Sequence, residues 1–134
     1  MAGKRSARTV LVLAVVAAAC GTPSMPSMMP IGVWGGDHIV LTVEATSAHV
    51  EFDCARGEIP VRLPDAAFTV AGTFVREHGG PIRVGETPDS HPALYVASIS
   101  GGVMTLTIRL ADSGELVGTF TLTRGSSGRV FKCL

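Results

Sequence analysis

"ALYVASISGGVMTLTIRLADSGELVGTFTLT", residues Ala93–Thr123, holds three runs of eight residues, "ALYVASIS", "VMTLTIRL" and "LVGTFTLT". A Gly-Gly pair separates the first two, and the five residues "ADSGE" separate the second two. Links of two and five residues that contain glycine are hairpin signals. Thr105, Thr107, Thr119, Thr121 and Thr123 suit strands, because a branched side chain fits a pleated surface. This third of the chain therefore predicts a strand meander.

The same period extends upstream. "HIVLTVE" sets Ile39, Leu41 and Val43 against His38, Thr42 and Glu44, with Val40 breaking the polarity. "ATS" turns the chain, and "AHVEFDC" alternates Ala48, Val50, Phe52 and Cys54 against His49, Glu51 and Asp53. "ARG" is expected to turn again before a strand over "EIPVRL", where Pro60 marks an edge or irregularity. "AFTVAGTFVRE" places Phe68, Val70, Gly72 and Phe74 on one face. "HGGP" and "GETPDSHP" read as loops, and "RGSSG" turns into a final strand over "RVFKCL". No segment carries a capped helical pattern of ten or more residues. The expected fold is all-β: a small antiparallel up-and-down barrel or a sandwich of about eight strands. Phe52, Phe68, Phe74 and Phe120 fall on apolar sides and are expected to fill it. An eight-stranded interior has room for side chains or one small ligand.

The start of the chain belongs to a different class. "MAGKRSART" carries Lys4, Arg5 and Arg8 and no acid, and "VLVLAVVAAA" follows before Cys20. That order describes a secretory signal over residues 1–19. Ten apolar residues of helix span about 15 Å, half a bilayer core, so a permanent span is not expected. "AAAC" resembles a bacterial lipobox, which implies a lipid-modified, palmitate-bearing Cys20. "GTPSMPSMMP", Gly21 to Pro30, reads as an extended tether. The expected organisation is thus signal 1–19, lipidated cysteine and Pro/Met tether 20–30, and one β-domain over 31–134. Met25, Met28 and Met29 are soft ligands in principle, but no copper site is expected from a tether.

Export sets the cysteine arithmetic. With Cys20 lipidated, Cys54 and Cys133 remain, and an oxidising compartment favours pairing them; two buried free thiols are the alternative. Removing the signal leaves eight Lys and Arg against eleven acids, a net charge of about −3 with His neutral. That balance argues against nucleic acid. No polybasic patch supports binding to anionic headgroups, so membrane attachment rests on the anchor.

Chemistry-bearing patterns are sparse. The histidines are His38, His49, His78 and His91. With acids nearby, His38, His78 and His91 form the one metal-site candidate, and Asp37 joins them in a hydrolytic reading. Solvated loop histidines are the competing reading and the one preferred. Asp37 and His38 are expected to open a period-two strand and so to face opposite sides, which weakens them as a dyad. Whether His38 meets His49 across strands is left open. Glu51 and Asp53 share a face, as glycosidic carboxylates do, but also as any wet strand face does. No G-x-S-x-G elbow is present, and no helix follows a glycine loop to cradle phosphate. No catalytic residue and no cofactor are assigned.

"GVW" before the first alternating run resembles the G-x-W start of the calycins, the lipocalin and avidin type of barrel. The resemblance implies that Trp34, after Gly32, plugs one barrel end beneath a basic side chain from a late strand. Arg124 and Arg129 are the candidates, and Arg129 is the one assigned. Gly32, Gly35 and Gly36 are expected to let the backbone turn tightly there. "WGGDH", "EFDCARG", "HGGP", "GGVMTLT" and the terminal "KCL" resemble an uncharacterised family of small exported bacterial β-proteins. That resemblance implies no activity; it also supports a Cys54–Cys133 bridge. The expected function is a monomeric, membrane-anchored lipoprotein of the cell envelope. Its barrel would bind a small molecule or an envelope protein, in the manner of an inhibitor in one form of the idea. On the outer membrane of a Gram-negative cell it would face the periplasm or the surface. A metal-binding or hydrolytic protein and a purely structural envelope component are the alternatives.

Overall fold

A computed structural model describes residue 3, residues 20–22 and residues 24–134. The expected signal over residues 1–19 lies outside the described residues, apart from residue 3. The fold is a closed antiparallel barrel of eight strands in sequence order, with no helix among the described residues. The strands are β1 (Gly32–Gly36), β2 (Ile39–Val43), β3 (Ala48–Phe52), β4 (Ala55–Ile59), β5 (Phe68–Arg76), β6 (Asp89–Ser100), β7 (Val103–Leu110) and β8 (Leu116–Arg124). Every neighbour in sequence is a neighbour in space, which is the up-and-down form rather than a sandwich.

The alternating pattern does what period two requires. Ile39, Leu41, Val43, Val50, Met104, Leu106, Ile108 and Leu122 are fully buried. No polar or charged residue is buried among the described residues. Phe52 meets Phe74 edge-on at 5.3 Å and Phe120 at 5.6 Å, filling one half of the interior. Tyr95 crosses the middle, its hydroxyl donating to the Thr73 carbonyl at 2.6 Å.

The two ends are closed differently. At the plug end lie the β2–β3 and β6–β7 turns and the β4–β5 link. Here the chain enters, and it contradicts the expectation of a structureless tether to Pro30. Met28 bridges Pro64, the Met29 amide donates to the Leu63 carbonyl at 2.9 Å, and Met29 and Leu63 are fully buried. The folded unit begins near Ser27, whose carbonyl accepts from the Asp65 amide. Trp34 is 1% exposed and lies under Arg124, whose guanidinium carbon is 4.5 Å from the ring centroid. Arg124 also donates to Asp65 at 2.7 Å. The cover over the tryptophan is therefore Arg124 and not Arg129, because β8 ends with Arg124 paired directly to Trp34.

At the strap end lie the Asp37-His38 and Asp53-Cys54 turns, the loop over 77–88 and the "ADSGE" link. Several expected boundaries move here. The double glycine does not turn the chain: Gly35 and Gly36 are strand residues, and the turn is Asp37-His38. "ARG" is not a turn but the start of β4, which stops at Ile59 before Pro60 instead of running through "PVRL". β6 starts at Asp89, so "DSHP" belongs to a strand; Pro92 pairs with Thr73 and still accepts from the Ala111 amide. "RVFKCL" forms no strand. Residues 125–134 form a strap that runs along the outside of β1 and then crosses the hairpin tips. The Gly125 amide donates to Val33, the Arg129 amide to Gly36, and the His38 amide to Arg129. A Cβ on Gly35 would sit 2.2 Å from the Gly128 nitrogen, so glycine is required for the strap to lie this close. The strap lies beside the thinnest seam of the barrel, where β1 and β8 pair only at Trp34–Arg124 and Gly35–Thr123.

Candidate functional site

The strap end gathers most of the titratable side chains, and two tips of the same construction organise it. Asp37-His38 and Asp53-Cys54 are both two-residue turns whose second residue has positive φ, 67° at His38 and 50° at Cys54. Both aspartates hold the strap. Asp37 Oδ1 accepts from Arg129 Nη2 at 2.7 Å and Nε at 3.1 Å. Asp53 Oδ1 accepts from the Phe131 amide at 2.7 Å, and Asp53 Oδ2 lies 2.5 Å from His38 Nδ1. Cys54 is disulfide-bonded to Cys133, with Cα atoms 4.9 Å apart across 79 residues of sequence. The Arg129 guanidinium holds Asp37 below the ordinary carboxylate range. Asp53 is held low chiefly by the Phe131 amide; burial opposes this, and His38 and Lys132 add to the lowering.

Lys132 fastens the strap between these tips. Its ammonium donates to the Ala55 carbonyl at 2.9 Å and to Glu77 at 3.2 Å, and it ion-pairs with Glu51. Glu51 Oε2 is buried without a partner in hydrogen-bonding geometry; the adjacent ammonium supplies charge instead. Burial pushes the Glu51 carboxyl up, but Lys132 and His49 outweigh it and the net direction is down. His49 bonds Glu51 on its own strand and Glu58 on β4. Burial pushes its imidazole down, the two carboxylates push harder the other way, and it is net raised.

The histidines do not converge. His38 pairs with Asp53 and never reaches His49, which sits four register positions away opposite Thr42. His78 donates from Nδ1 to the Gly79 carbonyl at 2.9 Å and pairs with Glu86; both partners raise it. His91 lies 2.8 Å from Asp112 and from Asp89, which raise it in that order. Each imidazole has its own carboxylates. No cluster of three or more His, Cys, Asp or Glu with metal-holding geometry occurs among the described residues. Asp37 and His38, as turn neighbours rather than strand neighbours, bond Arg129 and Asp53 respectively, so they form no dyad.

What the strap end does contain is a groove of about 450 Å³ beneath the loop over 77–88. Arg56, Arg76, Glu77, Ile82 and Cys133 are among its lining residues. Arg56 pairs with Glu77 at 3.2 Å, and Arg76 forks onto both Glu115 oxygens at 3.0 Å. Ile82 is 85% exposed and Phe131 64% exposed at this end. The groove thus sets apolar side chains among paired charges. The period-two reading found the histidines but missed the groove, since its wall is a loop and its floor joins strands distant in sequence. Comparison with family models, with curated proteins and with solved structures found no match to this chain.

Proposed function

We propose that this protein is an exported, lipid-anchored envelope protein whose non-enzymatic barrel holds a protein partner at its strap end. One observation carries the binding part of this reading: the interior is filled, from Met29 and Trp34 at one end to Phe52, Phe74 and Phe120 at the other. With these side chains occupying the inside, we place recognition on the outside. The strap-end groove, with Ile82 beside fixed charges, is a concavity suited to it. Export is supported by the basic-apolar-"AAAC" start and by a disulfide between Cys54 and Cys133. Anchoring is supported by Cys20, exposed and outside the barrel. The absence of a nucleophile elbow and the separate pairing of each histidine favour binding over catalysis.

Two measurements test this. Protein purified from membranes should begin at Cys20 and carry the mass of diacylglyceryl and acyl groups, lost in Cys20→Ala; an unmodified mature mass removes the anchor. A photo-crosslinking residue at Ile82 should give one discrete protein adduct in intact cells, and the same residue at Thr105 on the barrel wall should not. Equal labelling at both positions would remove the strap-end site.

A further inference from the structure

The chain between Cys20 and the fold is shorter than its composition suggests. Met28 and Met29 are already paired to the β4–β5 link, so the free tether runs only from Cys20 to Ser27. Seven steps reach about 25 Å fully stretched. As a flexible chain they average about 15 Å. The nine-residue strands β5 and β8 are about 30 Å long, and a usual barrel tilt leaves a wall of somewhat over 20 Å. The tether leaves from the plug end. Turning the strap end to the membrane would stretch it almost fully along the barrel wall.

The plug end also carries an apolar ring that the core does not use. Ile31 is 69% exposed and directly precedes β1; Val61 is 44% exposed, two residues past the end of β4. Met28, 45% exposed, bridges Pro64, and Val103, 43% exposed, opens β7 beside the Gly101-Gly102 turn. Met25, 93% exposed, lies in the tether itself. Three acids stand at this end and each has a partner, Glu44 in Ser47, Asp65 in Arg124 and Glu58, one residue before the end of β4, in His49. Arg62, between Val61 and Leu63, has no ion-pair partner among the described residues.

We propose that the plug end is a membrane-contact surface: Ile31, Val61, Met28 and Val103 seat in the headgroup layer of the bilayer that holds the Cys20 anchor, with Arg62 at the phosphates. This rests on the anchoring reading above. The ring is small and carries one cation, Arg62, without an ion-pair partner among the described residues, so it would not bind a membrane alone. The anchor makes the contact intramolecular, and a weak surface then suffices. The consequence is orientation. The plug end faces lipid, and the strap end with its groove faces away, where a partner can reach it.

Trp34, the single tryptophan, is a native reporter at the plug end, three residues from Ile31, about 10 Å along a strand. The full lipid-bearing protein is reconstituted in phosphatidylethanolamine/phosphatidylglycerol vesicles containing a headgroup nitroxide lipid. Flotation reports anchoring, and Trp34 emission reports contact. The expected result is flotation with emission lowered about twofold, as for a ring seated in the interface. Ile31→Ser with Val61→Ser should restore most of the emission while flotation is unchanged. Flotation with unquenched Trp34 overturns the contact surface and leaves the anchor standing. Quenching that the double variant does not relieve shows that the tether alone sets the distance, and also overturns it. Failure to float removes the anchor, and the proposal with it.

Discussion

Gly57 faces inward from β4, and a Cβ there would sit 2.0 Å from the Tyr95 hydroxyl and 2.8 Å from the Thr73 carbonyl. Gly72 on β5 leaves the same kind of space, 3.0 Å from the Tyr95 ring. These glycines let a tyrosine cross the barrel and place its hydroxyl on a backbone acceptor. Gly57→Ala should therefore cost about 3 kcal/mol, the upper part of the range for overpacking, as read by urea denaturation. The charged residues make a second prediction. His49, His78 and His91 are raised on folding above 6.5, so the stability they add is complete below that pH and is lost as pH rises through their folded values. Asp37, Asp53 and Asp112 are lowered from 3.8, and Glu51 and Glu86 from 4.5; their contribution is present above those values and is lost as pH falls through the folded ones. The melting temperature should thus peak between about pH 5 and 6.5 and fall as pH rises above that range. His49→Gln should flatten the alkaline side of that profile in calorimetry.

Elements with strict alternation were legible from residues alone. "VMTLTIRL" is β7 from first residue to last, and "AHVEFDC" is β3 as far as Phe52, with its last two residues forming the turn, because a half-buried strand writes its burial into period two. The misread boundaries share a cause. His38 and Cys54 take left-handed backbone in place of glycine, so the real turns carried no glycine, while Gly35 and Gly36 were glycine for close approach. The strap "RVFKCL" was expected as a final strand but is held by Asp37, Asp53, Lys132 and a disulfide instead of a ladder. The groove had no signal at all, since loop length sets it. Met29 had none either: a single buried methionine in a proline-rich stretch has no period. Met29→Ala should cost about 3 kcal/mol as a core truncation, while Met25→Ala, at an exposed tether position, should cost nothing measurable in the same denaturation assay. Cys54→Ser with Cys133→Ser frees the strap and opens the loop of 79 residues, a loss of up to about 4.5 kcal/mol in the chain-entropy view. Proteolysis of that variant should begin in residues 125–134.

The whole molecule is a filled barrel with unlike ends. One end is plugged by Met29, Leu63 and the Arg124-capped Trp34, and carries the chain toward Cys20. The other is strapped by the disulfide and offers a groove with exposed apolar side chains. Closure leaves little sheet edge, the β1–β8 seam being its thinnest part. A full interior leaves binding to the surface, as proposed above. Methyl NMR of the mature protein, titrated with a medium-chain fatty acid, tests that fullness. The inward methyls of Leu41, Leu106, Ile108 and Leu122 should not move, whatever happens at Ile82. Saturable shifts confined to those inward methyls would mean an open cavity and would contradict the full interior.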